Sequence, residues 1–234
     1  MNRQEFYRKK YQSIKSGWKD SQIIYRDIID GLVEKDTKIL DVGCSHGDFM
    51  GSVYQKTEFV YGLDIDEKAL AKNKIIKNKI HSSIKKMPFD DSFFDLIVNA
   101  WVMEHLENPE RAFKEVYRVL KPNGKVIFLT PNVWNYNIWI IRMIPRKFHD
   151  FFTRRLYDRQ ENDTFLKYYK INSVKKIDKI LTATGLKKIK VILNDDPTYI
   201  SFSKFLFAFA CFLEKLLDKW FNFAKVHIIG IYEK

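Results

Sequence analysis

The chain is short of cysteine, glycine, proline and acid, and it has no long apolar run. Its two cysteines, Cys44 and Cys211, lie far apart among 234 residues. They build neither a disulfide framework nor a zinc-binding spacing, no metal is expected, and free thiols suit a reducing compartment. Nine glycines and six prolines exclude a collagen-like or linker-dominated chain. The most apolar stretch, Phe205 to Leu213, is closed by Glu214 and Lys215 and is too short to span a bilayer. The first residues, MNRQEFYRKKYQ, are charged from the start and lack the apolar segment of a signal peptide. A cytoplasmic protein is therefore expected. Against 41 Lys and Arg stand 29 Asp and Glu, a net charge of +12. Such a balance can serve nucleic acid, an anionic surface or an acidic substrate. Here the lysines are dispersed and form no polybasic tract, which favours a solvated basic face over a nucleic-acid footprint.

What is present is the composition of a globular chain: 46% hydrophobic and 30% charged residues, with length for one α/β core and some elaboration. Residues 4–34 carry apolar positions at helical spacing, predicting one or two helices. Short apolar strands follow at 38–42, 59–64, 94–99 and 125–130. Helical stretches at 66–78 and 108–120 lie among them. Strands alternating with helices imply a parallel sheet with crossover connections. Residues 133–170 break the rhythm and are rich in Arg, Phe and Tyr. A helix at 173–184 closed by Gly185, a strand at 187–193, a second insert at 195–224 and a strand from Val226 to Tyr232 complete the pattern. The reading is a single domain, 1–234, with N-terminal helices (1–34), a cofactor-binding core (35–132), an insert over the acceptor (133–170) and a C-terminal part (171–234) containing an apolar helix at 202–224. That helix is expected to pack or dimerise, with a membrane surface as the alternative.

The segment KILDVGCSHGDFM at 38–50 is a strand, a glycine loop and a helix start. Gly43 lets the chain turn off the strand, and Gly47 lets the loop backbone approach a ligand at a helix N-terminus. Twenty-three residues after Asp41, Asp64 ends the second strand, where an acid can accept bonds from both hydroxyls of a ribose. The glycines are spaced G-x-x-x-G, without the G-x-G-x-x-G fingerprint of nicotinamide folds. The pattern points to another nucleoside-containing cofactor.

The runs LDVGCSHG, VYGLDID and KKMPFDDSFFDLIVNAWVMEHLENPERAFKEVYRVLKPNGKVIFLTPN resemble the class I S-adenosylmethionine-dependent methyltransferases, in the branch that includes ubiquinone-type enzymes. The resemblance covers residues 35–132. It implies a Rossmann-like α/β fold of seven mostly parallel strands with helices on both faces, the last strand antiparallel, and here an N-terminal helical extension and inserts after strands 5 and 6. It implies S-adenosylmethionine as cofactor, with Asp41, Gly43, Cys44, Ser45 and Gly47 along its methionine and ribose part. Asp64 would take the ribose hydroxyls, Ile65, Ile84 and Met87 would flank the adenine, Ser83 would stand near the adenine amine, and Asn99 would lie near the methionyl end. Two positions depart from the pattern. Ser45 stands where the family usually has glycine, and Ser83 where it usually has aspartate; an uncharged bond from Ser83 would lower affinity by about 1 kcal/mol.

For the acceptor, His105 within Glu104-His105-Leu106 follows the fourth strand at the ligand-binding edge and can serve as base, or Glu104 and His105 can brace the next helix. His149 is the second candidate. His46 is expected to contact the cofactor or to close its loop, and His81 and His227 to be structural. Trp134, Tyr136, Arg154, Tyr168, Tyr169 and Asn172 suit a sugar or phosphate-bearing acceptor. The whole chain is also similar to a bacterial branch with Tyr11, Trp18 and Tyr25 early, Tyr168, Tyr169 and Asn172 in the insert, and Pro197 with Tyr199. The likeness of that branch to products of glycan gene clusters implies O-methylation of a sugar, sugar phosphate or nucleotide-sugar. The rivals are an RNA methyltransferase, a lipid or quinone methyltransferase at a membrane, and a non-catalytic scaffold. A small-molecule or glycan acceptor is the expected partner; a homodimer and a peripheral membrane contact are alternatives.

Overall fold

A computed structural model describes residues 3–46, 48–136 and 165–234. The chain divides into two compact units. One comprises Gln22–Thr130, Lys167–Ile192 and Ile229–Lys234; the other contains the described parts of Met1–Ser21, Pro131–Leu166 and Leu193–Ile228. The first holds the sheet apart from its strand tips, and the second is helical.

In the sheet unit the strands are β1 (Ile39–Val42), β2 (Val60–Asp64), β3 (Asn78–His81), β4 (Phe94–Ala100), β5 (Leu120–Pro131), β6 (Lys187–Asn194) and β7 (His227–Glu233), in the order β3-β2-β1-β4-β5-β7-β6. β1 pairs in parallel with β2 on one side and β4 on the other, β2 with β3, and β4 with β5. Near the start of β5, Asn123 N–H donates to Lys234 O and Lys234 N–H to Gly124 O; just past its end, Asn132 N–H donates to Val226 O. The start of β5 thus meets the end of β7, so β7 runs antiparallel. The sheet is seven-stranded and mostly parallel, as the sequence implied.

Helices α2 (Ser21–Asp30), α3 (Gly51–Tyr54), α4 (Glu67–Lys72), α5 (Pro109–Val119) and α6 (Val174–Ala183) accompany the strands. The local chemistry is legible. Asn108 caps α5 through Arg111 N–H, Pro109 occupies its first turn, and Ala112, Phe113, Val116 and Val119 form the buried stripe. Asp66 caps α4 through Lys68 and Ala69 N–H. Gly185 ends α6 at φ +99°, where a Cβ would lie 2.8 Å from the Tyr117 ring. On one face of the sheet Ile39, Leu96, Val98, Ile127 and Ile229 pack with Tyr25, Ile29, Val53 and Tyr54 from α2 and α3. Two expectations are corrected. The helix read over 66–78 stops at Lys72, because Asn73 turns its side chain onto Ile75 and Ile76 N–H. The residues after it form β3, an edge strand with exposed Asn78, Lys79 and His81 that carries no apolar run to announce it.

The helical unit contains α1 (Arg3–Ile14) and α7 (Lys204–Trp220), with a turn at Pro197–Ile200 against both. The apolar helix read over 202–224 is thus shorter, and a separate turn, Asn222–Ala224, follows it. Tyr7 stacks on Phe207 at 4.7 Å, and Tyr11 meets Trp18 edge-on. Around this small core lies a set of buried acids. Arg8 bonds Asp196 at 2.8 Å, Lys15 and the Tyr11 hydroxyl hold Asp195, and Tyr136 donates to Glu214 at 2.8 Å. His227 is buried between the Ser21 and Tyr199 hydroxyls, and burial lowers its pKa to about 4, so it is the neutral structural residue expected.

Candidate functional site

The strand order reverses between β1 and β4, and the carboxyl ends flanking such a reversal form the ligand crevice of open α/β sheets. Gly43, at φ +73°, leaves β1 there; a Cβ on it would lie 2.3 Å from Val102, which follows β4. Only glycine lets the two loops approach so closely. Of the five described non-glycine residues with left-handed backbone, Ser92 and Asn123 lie near the starts of β4 and β5, and the other three lie at this edge. Ser45 (φ +41°), Trp101 (+61°) and Tyr169 (+49°) adopt left-handed backbone without being glycine, a conformation that persists where the surroundings enforce it and that clusters at ligand sites.

The loop after β1 is tied down from both sides. Ser45 N–H donates to Asp64 Oδ2 at 2.9 Å, and Asp66 N–H to Asp64 Oδ1 at 2.9 Å. Each carboxylate oxygen keeps a further acceptor position. Asn73, fully buried, donates to Ser45 O at 3.0 Å while accepting from Ile75 and Ile76. Ser45 Oγ meets His46 Nδ1 at 3.0 Å, which places His46 in the loop as expected. Gly47 lies outside the described residues. The helix start expected there is a single turn, Asp48–Met50, followed by the four-residue α3.

Beneath the loop, Asp41 is buried on β1 and accepts the Tyr54 hydroxyl at 2.7 Å. Burial, and secondarily the nearby Asp64 charge, push its carboxyl up to about 7, against the lowering bond from Tyr54. Cys44 packs its sulfur against Gly62 on β2, where a Cβ would come within 2.8 Å. Burial raises its thiol to about 12, which makes it an inert filler. Asn99, in register with Val42, is 1% exposed, and among the described residues neither atom of its side-chain amide has a partner. Buried amides are ordinarily satisfied, so an unpaired one at this edge marks a place for a polar ligand.

The remaining residues named for the cofactor lie after β2 and β3. Ile65 is 57% exposed beside Asp64, an apolar side chain free to stack. Ile84 and Met87 are buried in the turn after β3. Ser83 Oγ accepts Lys85 N–H at 3.2 Å within that turn. His81 meets Ile65 O at 3.1 Å.

At the ends of β4 and β5 a second polar group assembles. Glu104 is buried; its Oε2 accepts from Thr130 at 3.3 Å, and Asn172 donates to Thr130 Oγ1. Burial is the main cause of a raised Glu104 pKa. Tyr168 and Tyr169 N–H both donate to Glu104 O. Asn172 Oδ1 is buried without a partner. His105 stands in the same turn, Met103–His105, half-buried. Of the predicted acceptor residues, Tyr168 and Tyr169 meet the Glu104 carbonyl in the turn that carries His105, and Asn172 meets Glu104's partner Thr130. Trp134, half exposed, and Tyr136, bonded to Glu214, belong to the helical unit. His149 and Arg154 lie outside the described residues. Sequence reasoning missed Tyr54, Asn73 and Thr130, whose roles arise from distant partners, and Tyr25, whose hydroxyl meets the Asn99 backbone.

Comparison with known proteins bears on the domain and its fold. The family described as "Methyltransferase domain" matches residues 40–128. An uncharacterized protein of Haemophilus influenzae is 35% identical over 43% of this chain and 45% of its own length. The ubiquinone biosynthesis O-methyltransferase of Pseudomonas entomophila is 29% identical over 49% and 56%. The chain thus spans about half the length of these curated relatives. Among solved structures, an S-adenosylmethionine-dependent methyltransferase from Mesorhizobium loti aligns with TM-score 0.60 at 17% identity, covering 89% of this chain and 96% of that one. The fold is shared across nearly the whole chain.

Proposed function

We propose that this protein, whose residues 40–128 match the methyltransferase domain family, is an S-adenosylmethionine-dependent methyltransferase acting on a hydroxyl of a sugar, sugar phosphate or nucleotide-sugar. The observation that carries the cofactor assignment is the placing of Asp41 and Asn99 on the adjacent strands β1 and β4 that flank the reversal. A buried carboxylate without a described cation and a buried amide without a described partner suit a ligand that presents a positive charge and hydrogen-bonding groups together, as a methionyl moiety does. The spare lone pairs of Asp64 suit two vicinal hydroxyls, and exposed Ile65 suits a flat base. When bound, the cofactor supplies an electrophilic methyl carbon on a good leaving group.

The chain's part is then to align the acceptor and remove its proton. His105 is the proposed proton acceptor, on the turn that Glu104, Tyr168 and Tyr169 hold together. Asn172 Oδ1 is a ready acceptor for a second hydroxyl. The dispersed positive charge of the chain suits a phosphate-bearing substrate.

Calorimetric titration with S-adenosylhomocysteine tests the premise. The wild type should bind in the micromolar range. Asp64→Ala should weaken binding ten- to hundredfold, the worth of charged hydrogen bonds. A folded protein that binds no adenosyl ligand would refute the enzyme reading. Where binding holds, His105→Asn should lower kcat with little change in cofactor affinity, and an unchanged kcat would remove His105 from the chemistry.

A further inference from the structure

Among the described residues, one face of helix α7 is left uncovered. Advancing ~100° per residue, its buried residues Phe207, Ala210 and Glu214 share one side. Phe205, Phe209, Phe212, Leu216 and Trp220 fall in a single arc on the opposite side, and all are exposed, Phe205 by 78% and Trp220 by 64%. Phe221 and Phe223, just beyond the helix, are exposed as well. Single exposed apolar residues are ordinary, whereas a continuous stripe marks an interaction surface.

The charges identify what covers it. Lys204, Lys215 and Lys219 are exposed along one edge of the arc. The acids of the helix are turned elsewhere: Glu214 is buried against Tyr136, and Asp218 is paired with Lys15 and Lys225. A second copy of the chain would bring the same lysines to the stripe and no free acid to meet them. An anionic lipid surface meets both features, since aromatic side chains sink to the headgroup boundary while lysines reach phosphates. Trp220, with the Lys219 ammonium 5.2 Å from its ring, combines an apolar body with a cation in the manner of interfacial residues.

The geometry points to α7 as a docking helix for an anionic membrane surface, lying in the plane of the headgroups with its aromatic stripe inserted. At 17 residues it is ~25 Å long, and among the described residues no helix is long and apolar enough to cross a membrane. This inference stands apart from the methyl-transfer reading.

The test is co-sedimentation of the full chain with phosphatidylcholine vesicles, with and without phosphatidylglycerol. Binding should require the anionic lipid. It should fall about fivefold for each of Lys204→Gln, Lys215→Gln and Lys219→Gln, and vanish in the double variant Phe205→Glu/Phe212→Glu. Tryptophan emission should shift to the blue on vesicle addition, and Trp220→Phe should remove most of that shift. Circular dichroism checks that the variants fold; should the double variant misfold, the lysine series and Trp220→Phe carry the test alone. No sedimentation, equal sedimentation on neutral vesicles, or a solution dimer that splits on charging the stripe while vesicles are ignored would each overturn the proposal.

Discussion

Both units bury carboxylates, and they neutralise them by different means. In the helical unit Asp195 and Asp196 are each met by a cation, Lys15 and Arg8. In the sheet unit Asp41 and Asp64 are met by a tyrosine hydroxyl and backbone N–H groups. Among the described residues neither forms an ion pair. An acid paired with a cation is a finished cross-link between chain segments. An acid held by neutral donors keeps its lone pairs and its negative field, and so keeps its capacity for a cationic or hydroxylic ligand. One arrangement ties a structure together, and the other holds a place open. Glu214 is the instructive exception in the helical unit. Its described partner is the Tyr136 hydroxyl, and burial, then the charges of Asp195 and Asp196, raise it to about 8 despite that bond.

If the cation-paired acids are cross-links, the largest effect should come from removing a cation. Arg8→Ala leaves Asp196, 1% exposed, as an uncompensated buried charge and should cost about 3 kcal/mol. A urea titration reads this as a lowered midpoint, and a loss below about 1 kcal/mol would show that Asp196 does not depend on its pair. The next effect concerns the open acids. The folded pKa of Asp41, about 7, exceeds the ordinary carboxylate value of about 3.9. Between those values the folded chain holds a proton that the unfolded chain has shed, so this group's contribution to stability falls as pH rises through the window. A cationic ligand favours the carboxylate and expels that proton. Adenosylhomocysteine affinity should therefore rise toward pH 7, by at most about tenfold per unit, and level off above it. Asp41→Asn should flatten the profile, and a wild-type profile already flat between about pH 5 and 8 would mean that Asp41 does not sense the ligand. The smallest effect tests the strained loop that covers these acids. Ser45→Gly removes a left-handed penalty of about 1–2 kcal/mol and adds about 0.5–1 kcal/mol of glycine entropy. A net gain of about 0.5–1 kcal/mol in thermal stability is expected; a loss would show that the Ser45 hydroxyl, bonded to His46, matters more than its backbone.

The same contrast explains what the sequence made legible. β1, β2 and β5 are apolar runs that end at Gly43, Asp64 and Pro131, β4 is a fourth such run, and their burial follows from local pattern alone. Asp64 and the glycine loop lie on consecutive segments, so spacing exposed them. Ser45 was recognised as a departure, but its left-handed φ emerges only when Asp64 and Asn73 hold the loop from either side. Asn73 falls inside the helix expected over 66–78; its bond to Ser45 O spans 28 residues. The pairs Arg8–Asp196 and Lys15–Asp195 join positions 188 and 180 residues apart, and no periodicity encodes such a meeting. β3 was missed because an exposed edge strand has no buried face to write an alternating pattern. The stripe on α7 was visible as an apolar run, but only the structure shows that one face of that run is left uncovered.

β7 has a consequence for how the molecule is made. It is the last strand in chain order, yet it lies between β5 and β6, and Gly230 fits there because the Phe128 ring occupies the space a Cβ would need. Until those residues leave the ribosome, β5 and β6 each present an unsatisfied edge, and the sheet closes only through contacts distant in sequence. A stalled or prematurely ended nascent chain would expose the edge of β5 that β7 covers in the finished sheet and leave β6 without a partner strand. Synthesis rate and chaperone supply, more than the stability of the finished sheet, should then set the yield of soluble protein.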